Sequence, residues 1–249
     1  MIKIKATENF AGVEISGEYN DFDNLYETLH KMTGTEGEYP FYKASIIRVY
    51  NFCYELRHAM MGDREYINED NGVYDHTFNT HQIILPKVNV HLKIKILFPE
   101  LIFLVMALND LLDKYAMKIS KEKFSVYESK ECLMDANIAT IRLFQGRVML
   151  CIKELVSDNL YSRIIKQVTY KYHTFYMYHH QYIDLLNIKH IKMTAEKRQK
   201  NISIIVKRLY EKNDEYESLS MQLEDASIEF NCDPSDLRFV EEYPENIEW

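Results

Sequence analysis

The stretch VNVHLKIKILFPELIFLVMALNDLL, residues 88–112, changes period in its middle. Val88, Val90, Leu92, Ile94 and Ile96 alternate with Asn89, His91, Lys93 and Lys95, the period of two expected of a half-buried strand. His91 then falls on the polar face, as an exposed and uncommitted histidine. From Phe98 the pattern is helical. Pro99 suits the first helical turn, and Glu100 stands where the positive end of a helix favours an anion. A chain with this junction mixes sheet and helix. Seven glycines and five prolines in 249 residues predict few loops and long helices.

The N-terminus adds two strand patterns. Ile2 and Ile4 alternate with lysines in IKIKA, and Val13 and Ile15 alternate with Glu14 and Ser16 in GVEISGEY. Asp21 caps a short helix, and residues 33–40 form a loop. Residues 41–61 are helical, and an extended polar stretch runs from Gly62 to about residue 80. HQIIL (81–85) reads as a further strand. Helices are predicted over 98–112, 135–156, 157–186 in one or two pieces, 194–212 and 214–230, with Asp233-Pro234 opening a last short turn. The fold class is α+β: a small, mostly antiparallel sheet with helices, then a helical C-terminal half. The expected organisation is a single domain over 1–249, its α+β part at 1–130 and a helical part at 131–249 packed on it.

Composition limits the function classes. The most apolar run, 96–112, is interrupted by Pro99, Glu100, Asn109 and Asp110, too short and polar for a membrane span, and the first ten residues lack the apolar core of a signal peptide. Cys53, Cys132, Cys151 and Cys232 lie far apart with no CxxC pair, which fits a reducing cytoplasm rather than a disulfide framework. Net charge is −8 and argues against general nucleic-acid binding. The charge is unevenly placed: residues 142–210 carry 13 Lys/Arg against 4 Asp/Glu, and residues 211–249 carry 2 against 13. Either the two neutralise each other or are solvated faces, or the acidic tail covers a basic surface that binds an anionic partner.

In ELRHAMMGDRE (55–65), Arg57 and His58 sit side by side near the end of an apolar helix, and Gly62-Asp63-Arg64 follows at once. With Glu55 at zero and about 100° per residue, Arg48, Asn51 and Ala59 define a solvent side, while Arg57 falls at about 200°, among Ile46, Tyr50 and Cys53. A charge inside an apolar face must be paired or line a cavity, because stripping its water costs several kcal/mol. Two readings follow. Arg57, His58, Asp63 and Arg64 form an anion-binding pocket, or Arg57 makes a buried structural pair with Asp63, Glu100, Asp110 or Asp135. Asn137 is a second polar residue expected to point inward, from the face shared by Phe144, Val148 and Cys151.

The tract YKYHTFYMYHHQYIDLL (170–186) places Tyr172, Tyr176 and His179 on one helical face and Phe175, Tyr178 and Tyr182 on another. With flanking lysines such a face can stack nucleobases, or it is a helix packed on several sides with its hydroxyls reaching out. His173, His179 and His180 lack the spacing of a helical metal pair, and no HExxH, GxxxxGK[ST], GxGxxG or GxSxG is present. No metal, no cofactor and no catalytic residue is assigned.

The stretches FAGVEISGEYNDFDNLYETL, CYELRHAMMGDRE, FPELIFLVMALNDLL, NIATIRLFQ and EEYPENIEW resemble a bacterial family of unknown function, common in Bacillus-like and Clostridium-like organisms. The resemblance implies a bacterial cytosolic setting and one fold over the whole chain. It implies no activity. The leading expectation is a non-enzymatic protein-interaction or regulatory protein that binds a protein partner or a second copy of itself; the alternatives are a small-anion binder or enzyme using Arg57, His58 and Arg64, and a nucleic-acid binder through 142–210 gated by the acidic tail.

Overall fold

The computed structural model describes residues 1–73, 86–122, 126–170, 174–238, 243–244 and 246–249. Their fold is α+β. Strands β1 (Lys3–Ala6), β2 (Gly12–Gly17), β3 (Glu65–Asp70) and β4 (Val88–Leu97) form an antiparallel sheet in the order β1-β2-β4-β3. Ile4 pairs with Ile15 and Ile15 with Ile94, so one face is apolar and lies on the helices. The other face is knitted by charge. Lys93 lies 2.7 Å from Glu65 and 3.4 Å from Glu14, and Lys3 bonds Glu69. Gly12 is required by close approach: a Cβ there would stand 1.9 Å from the Ile96 carbonyl oxygen.

The alternation of β4 is only half cashed in burial. Ile94 and Ile96 are buried, while Val88 and Val90, on the same face, are exposed. His91 is a correction in the other direction. It is buried, 3.5 Å from Glu69, because the surrounding charged side chains cover the polar face of the sheet. The expected strand at 81–85 lies outside the described residues.

The helices are α1 (Tyr19–Thr33), α2 (Lys43–Met60), α3 (Phe98–Ile119), α4 (Lys130–Leu133), α5 (Ala136–Leu155), α6 (Asp158–Val168), α7 (Gln181–Ile191), α8 (Ala195–Glu211) and α9 (Asp214–Phe230). Helix α3 follows β4 without a linker, and nearly every side chain from Phe98 to Leu112 is buried. It is the axis on which α1, α2, α5, α7 and α8 pack. Asp21 stands at the third position of α1 rather than at its cap, where it accepts from the Glu18 amide in a capping box. Asp135 and Asn213 cap α5 and α9 as short polar side chains do.

One expectation about the C-terminal half changes. Residues 174–180 are not helical: Met177 has φ 49°, and α7 begins only at Gln181. The acidic segment forms the expected helix, and Tyr216, Leu219 and Leu223 of α9 are buried in the core. One apolar cluster reaches from Val13 to Leu223. The last residues return to the N-terminal turn, where the Asn9 amide donates to the Trp249 carbonyl at 3.0 Å. No helix among the described residues is long and apolar enough to cross a membrane. The four cysteines are free thiols, and burial raises the thiol of Cys53 to about 12.

Candidate functional site

Helix α2 carries two arginines nine residues apart, and the structure exchanges the roles expected of them. Its buried stripe is Ser45, Arg48, Val49, Phe52, Cys53, Leu56 and Ala59. Arg57 lies outside it and is exposed, its guanidinium over the ring of Tyr54 at 5.8 Å. Tyr50 and Tyr54, counted as apolar in the sequence, are 40% and 49% exposed, which turns the buried face by about a quarter of a turn. His58 bonds Asp63 at 2.9 Å, and Arg64 grips Glu55 with two bonds of 2.7 and 3.0 Å. Arg57, His58 and Arg64 therefore do not converge on one pocket. Arg57 makes no buried pair with Asp63, Glu100, Asp110 or Asp135.

The buried arginine is Arg48. Its Nη1 donates to Glu100 Oε2 at 2.9 Å, and its Nη2 reaches Asp184 Oδ2 at 2.6 Å and the His180 carbonyl at 2.7 Å. Burial pulls the Arg48 guanidinium down, and the two carboxylates outweigh it, so it stays charged. His180 closes the ring: Nδ1 lies 3.2 Å from Arg48 Nη2 and Nε2 lies 3.1 Å from the Ser235 carbonyl. These partners suit a neutral imidazole that donates from Nε2 and accepts at Nδ1. Burial, and then the charge of Arg48, lowers its pKa.

The network continues outward. Asn187 Nδ2 donates to Glu100 Oε2 at 3.1 Å and to the Tyr243 hydroxyl at 3.0 Å, and that hydroxyl donates to Asp184 Oδ1 at 2.9 Å. Four parts of the chain supply the groups: α2 gives Arg48, the first turn of α3 gives Glu100, α7 gives Asp184 and Asn187, and the C-terminal segment gives Tyr243. Three polar atoms of this network are buried without a hydrogen-bond partner among the described residues: Glu100 Oε1, Asn187 Oδ1 and Arg48 Nε. Burial raises the Glu100 carboxyl, against the pull of Arg48.

Beside these atoms lies a cavity of about 270 Å³. Arg48, Glu100 and Asn187 meet it from one side, Phe52, Ile96 and Leu104 supply apolar wall, and Ile247 and Trp249 line it from the C-terminal segment. Lys95 stands at its edge, 5.9 Å from the centre of the Trp249 ring. The segment is pinned where it passes α8: Arg198 donates to the Glu248 carbonyl at 2.7 Å. The cavity can hold a compact ligand with an apolar body and a polar end.

The other expected residues are placed apart from it. Asn137 is half-buried, its amide bonding the Tyr115 hydroxyl at 3.0 Å and its carbonyl accepting from Lys31 at 3.2 Å. It points to the α1–α3 rim rather than into the core, and it does not meet Arg57. Tyr172 lies outside the described residues. Tyr176 is exposed and packs on Phe41 at 4.9 Å, and His179 lies 3.7 Å from Glu224. Phe175, Tyr178 and Tyr182 are core residues. The basic and acidic segments do touch, through Glu215 with Lys189 and Arg208. Among the described residues no group of three or more His, Cys, Asp or Glu side chains is arranged to hold a metal ion.

The residues of the network left a signal in the sequence. Arg48 in IIRVY, Glu100 in FPELIF and Asp184 in YIDLL are each a single charge inside an apolar stretch. A charge so placed needs a partner of opposite sign, and these three answer one another.

A family model described as a domain of unknown function, DUF6904, matches residues 2–249. The chain belongs to that family. No curated protein and no solved structure matches it.

Proposed function

We propose that this protein binds a small molecule in the cavity between α2, α3, α7 and the C-terminal segment. The observation that carries this reading is the pair of buried acceptors, Glu100 Oε1 and Asn187 Oδ1, that no donor among the described residues satisfies. An acceptor left so beside a cavity costs about 1–3 kcal/mol, which a ligand donor would recover. Binding is favoured over turnover, because Arg48, Asp184 and His180 hold one another and are not free to act on a substrate. The reading takes the 249 residues as a single domain in a reducing, cytoplasmic setting, in keeping with a main apolar cluster that runs from Val13 to Leu223 and four free thiols.

The test is a thermal-shift screen of compounds of about ten non-hydrogen atoms, a size suited to a cavity at the small end of ligand sites. Hits raise the melting temperature of the natural protein and not that of Asn187→Leu or Trp249→Ala. Hits that act equally on all three proteins lie elsewhere and sink the reading.

A second reading, docking of a protein partner or a second copy, is favoured by the outer face of α1 and α2. There Tyr26 meets His30 edge-on at 4.5 Å and His30 stacks on Tyr50 at 5.5 Å, beside exposed Tyr54 and Arg57, with tyrosine and arginine the types enriched at interface centres. Sedimentation velocity tests its homodimer form: a dimer that dissociates in Tyr50→Ser/Tyr54→Ser supports it, and a monomer at all concentrations removes it.

A further inference from the structure

We infer that the ligand of this cavity is an organic cation, an amine carried on a small apolar or aromatic body; the inference rests on the binding role proposed above. The first argument is charge. The buried cluster holds one guanidinium, Arg48, against two carboxylates, Glu100 and Asp184, with His180 neutral between them. With both carboxylates ionised the cluster is one positive charge short; burial and Asp184 raise the Glu100 carboxyl accordingly, and a cation bound beside it would hold it ionised.

The second argument is the pattern of unmet hydrogen bonds. Arg48 and Asn187 both spend their donors on the same oxygen, Glu100 Oε2. This leaves Glu100 Oε1 without a donor, and Asn187 Oδ1 likewise. Both residues line the cavity, and Asn187 is only 2% exposed. An ammonium brings three donors and a positive charge together. A carboxylate ligand would bring neither and would meet Glu100. The cations nearby are already engaged: Arg64 with Glu55, Arg48 with its two carboxylates, and Lys95 with Glu65 at 3.3 Å.

The third argument is the wall. Trp249 and Phe52 face the same space, and an indole face attracts a cation held within about 6 Å. Lys95 Nζ already stands within that range of the Trp249 ring, at 5.9 Å. Ile96 and Leu104 complete an apolar lining suited to the body of the ligand.

Three compounds of one shape separate the possibilities: phenethylamine, phenethyl alcohol and phenylacetate, each titrated calorimetrically into the full chain and followed by thermal shift. The amine is expected to bind about tenfold or more tightly than the alcohol, the size of a charge-assisted bond over a neutral one, with no binding of the acid. Glu100→Gln, nearly isosteric and expected to fold, and Asn187→Leu should each weaken amine binding by about tenfold or more. Circular dichroism verifies their fold. Equal binding of amine and alcohol, or preference for the acid, overturns the cation and leaves the binding role standing. Amine binding unchanged in both variants places it elsewhere and overturns the site. No binding of any of the three overturns the inference and the binding role together.

Discussion

Arg48 and Arg57 sit on one helix, two and a half turns apart, and live in opposite surroundings. Arg48 is 5% exposed and holds two carboxylates and a backbone carbonyl. Arg57 lies in water over a tyrosine ring. The same residue type is a cross-brace among three helices in one place and a surface group in the other. The difference is decided by what α3 and α7 bring against the helix, since the local sequences RVYN and RHAM offer neither carboxylate.

The comparison breaks most sharply under truncation. Arg48→Ala leaves the half-buried carboxylates of Glu100 and Asp184 beside each other without their cation, and is expected to cost about 3 kcal/mol, the low end of the penalty for stranding a buried charge. Urea unfolding measures it. A loss below 1 kcal/mol, on the order of a surface ion pair, would mean that the carboxylates reach water without Arg48.

Second in size is the acidic C-terminal segment. Leu223 of α9 is 8% exposed and belongs to the core cluster, so Leu223→Ala should cost about 2–4 kcal/mol. Charge removal at Glu215, whose partners Lys189 and Arg208 are 39% and 31% exposed, should cost under about 1 kcal/mol. If the order reversed, the segment would be held by charge rather than packing.

A third prediction concerns pH. His190 is fully buried, with Nε2 2.9 Å from the Phe10 carbonyl and Nδ1 3.1 Å from the Asn201 amide nitrogen. Nε2 donates and Nδ1 accepts, so a second proton would face an N–H. Burial lowers its pKa to about 4, from 6.5. The unfolded chain therefore binds the proton first as pH falls. Stability from this group is whole above about pH 6.5 and is lost on acidification toward 4, by about 3 kcal/mol at most. Comparing denaturant midpoints at pH 7 and 5 for the natural protein and His190→Gln isolates it: the variant should lose less. An equal loss in both would assign the acid sensitivity to other groups.

The smallest effect belongs to Arg57. Arg57→Ala should shift stability by less than about 0.5 kcal/mol, as surface changes do. A larger loss would mean that its stacking on Tyr54 orders the outer face of α2.

The architecture was largely legible because burial follows period. The alternation of β4 and the proline at the start of α3 act within a few residues, and the structure puts strand and helix where those patterns fall. Reading failed where polarity and burial part company. Arg48 and His91 are polar and buried, and Tyr50 and Val90 are apolar and exposed. A helical wheel assigns faces by polarity, so each such residue pulls it round, and on α2 the pull was enough to exchange the two arginines.

The sequence by itself determined the α+β class, the helix that follows β4 without a break and three isolated charges in apolar runs, since each depends on neighbours in the chain. Only the tertiary structure decided which charges meet. Arg48 is 52 residues from Glu100 and 136 from Asp184. Whether a distant carboxylate arrives at a guanidinium depends on how α2, α3 and α7 pack. The cavity beside them depends further on the C-terminal segment crossing back to Asn9, a contact no local pattern encodes.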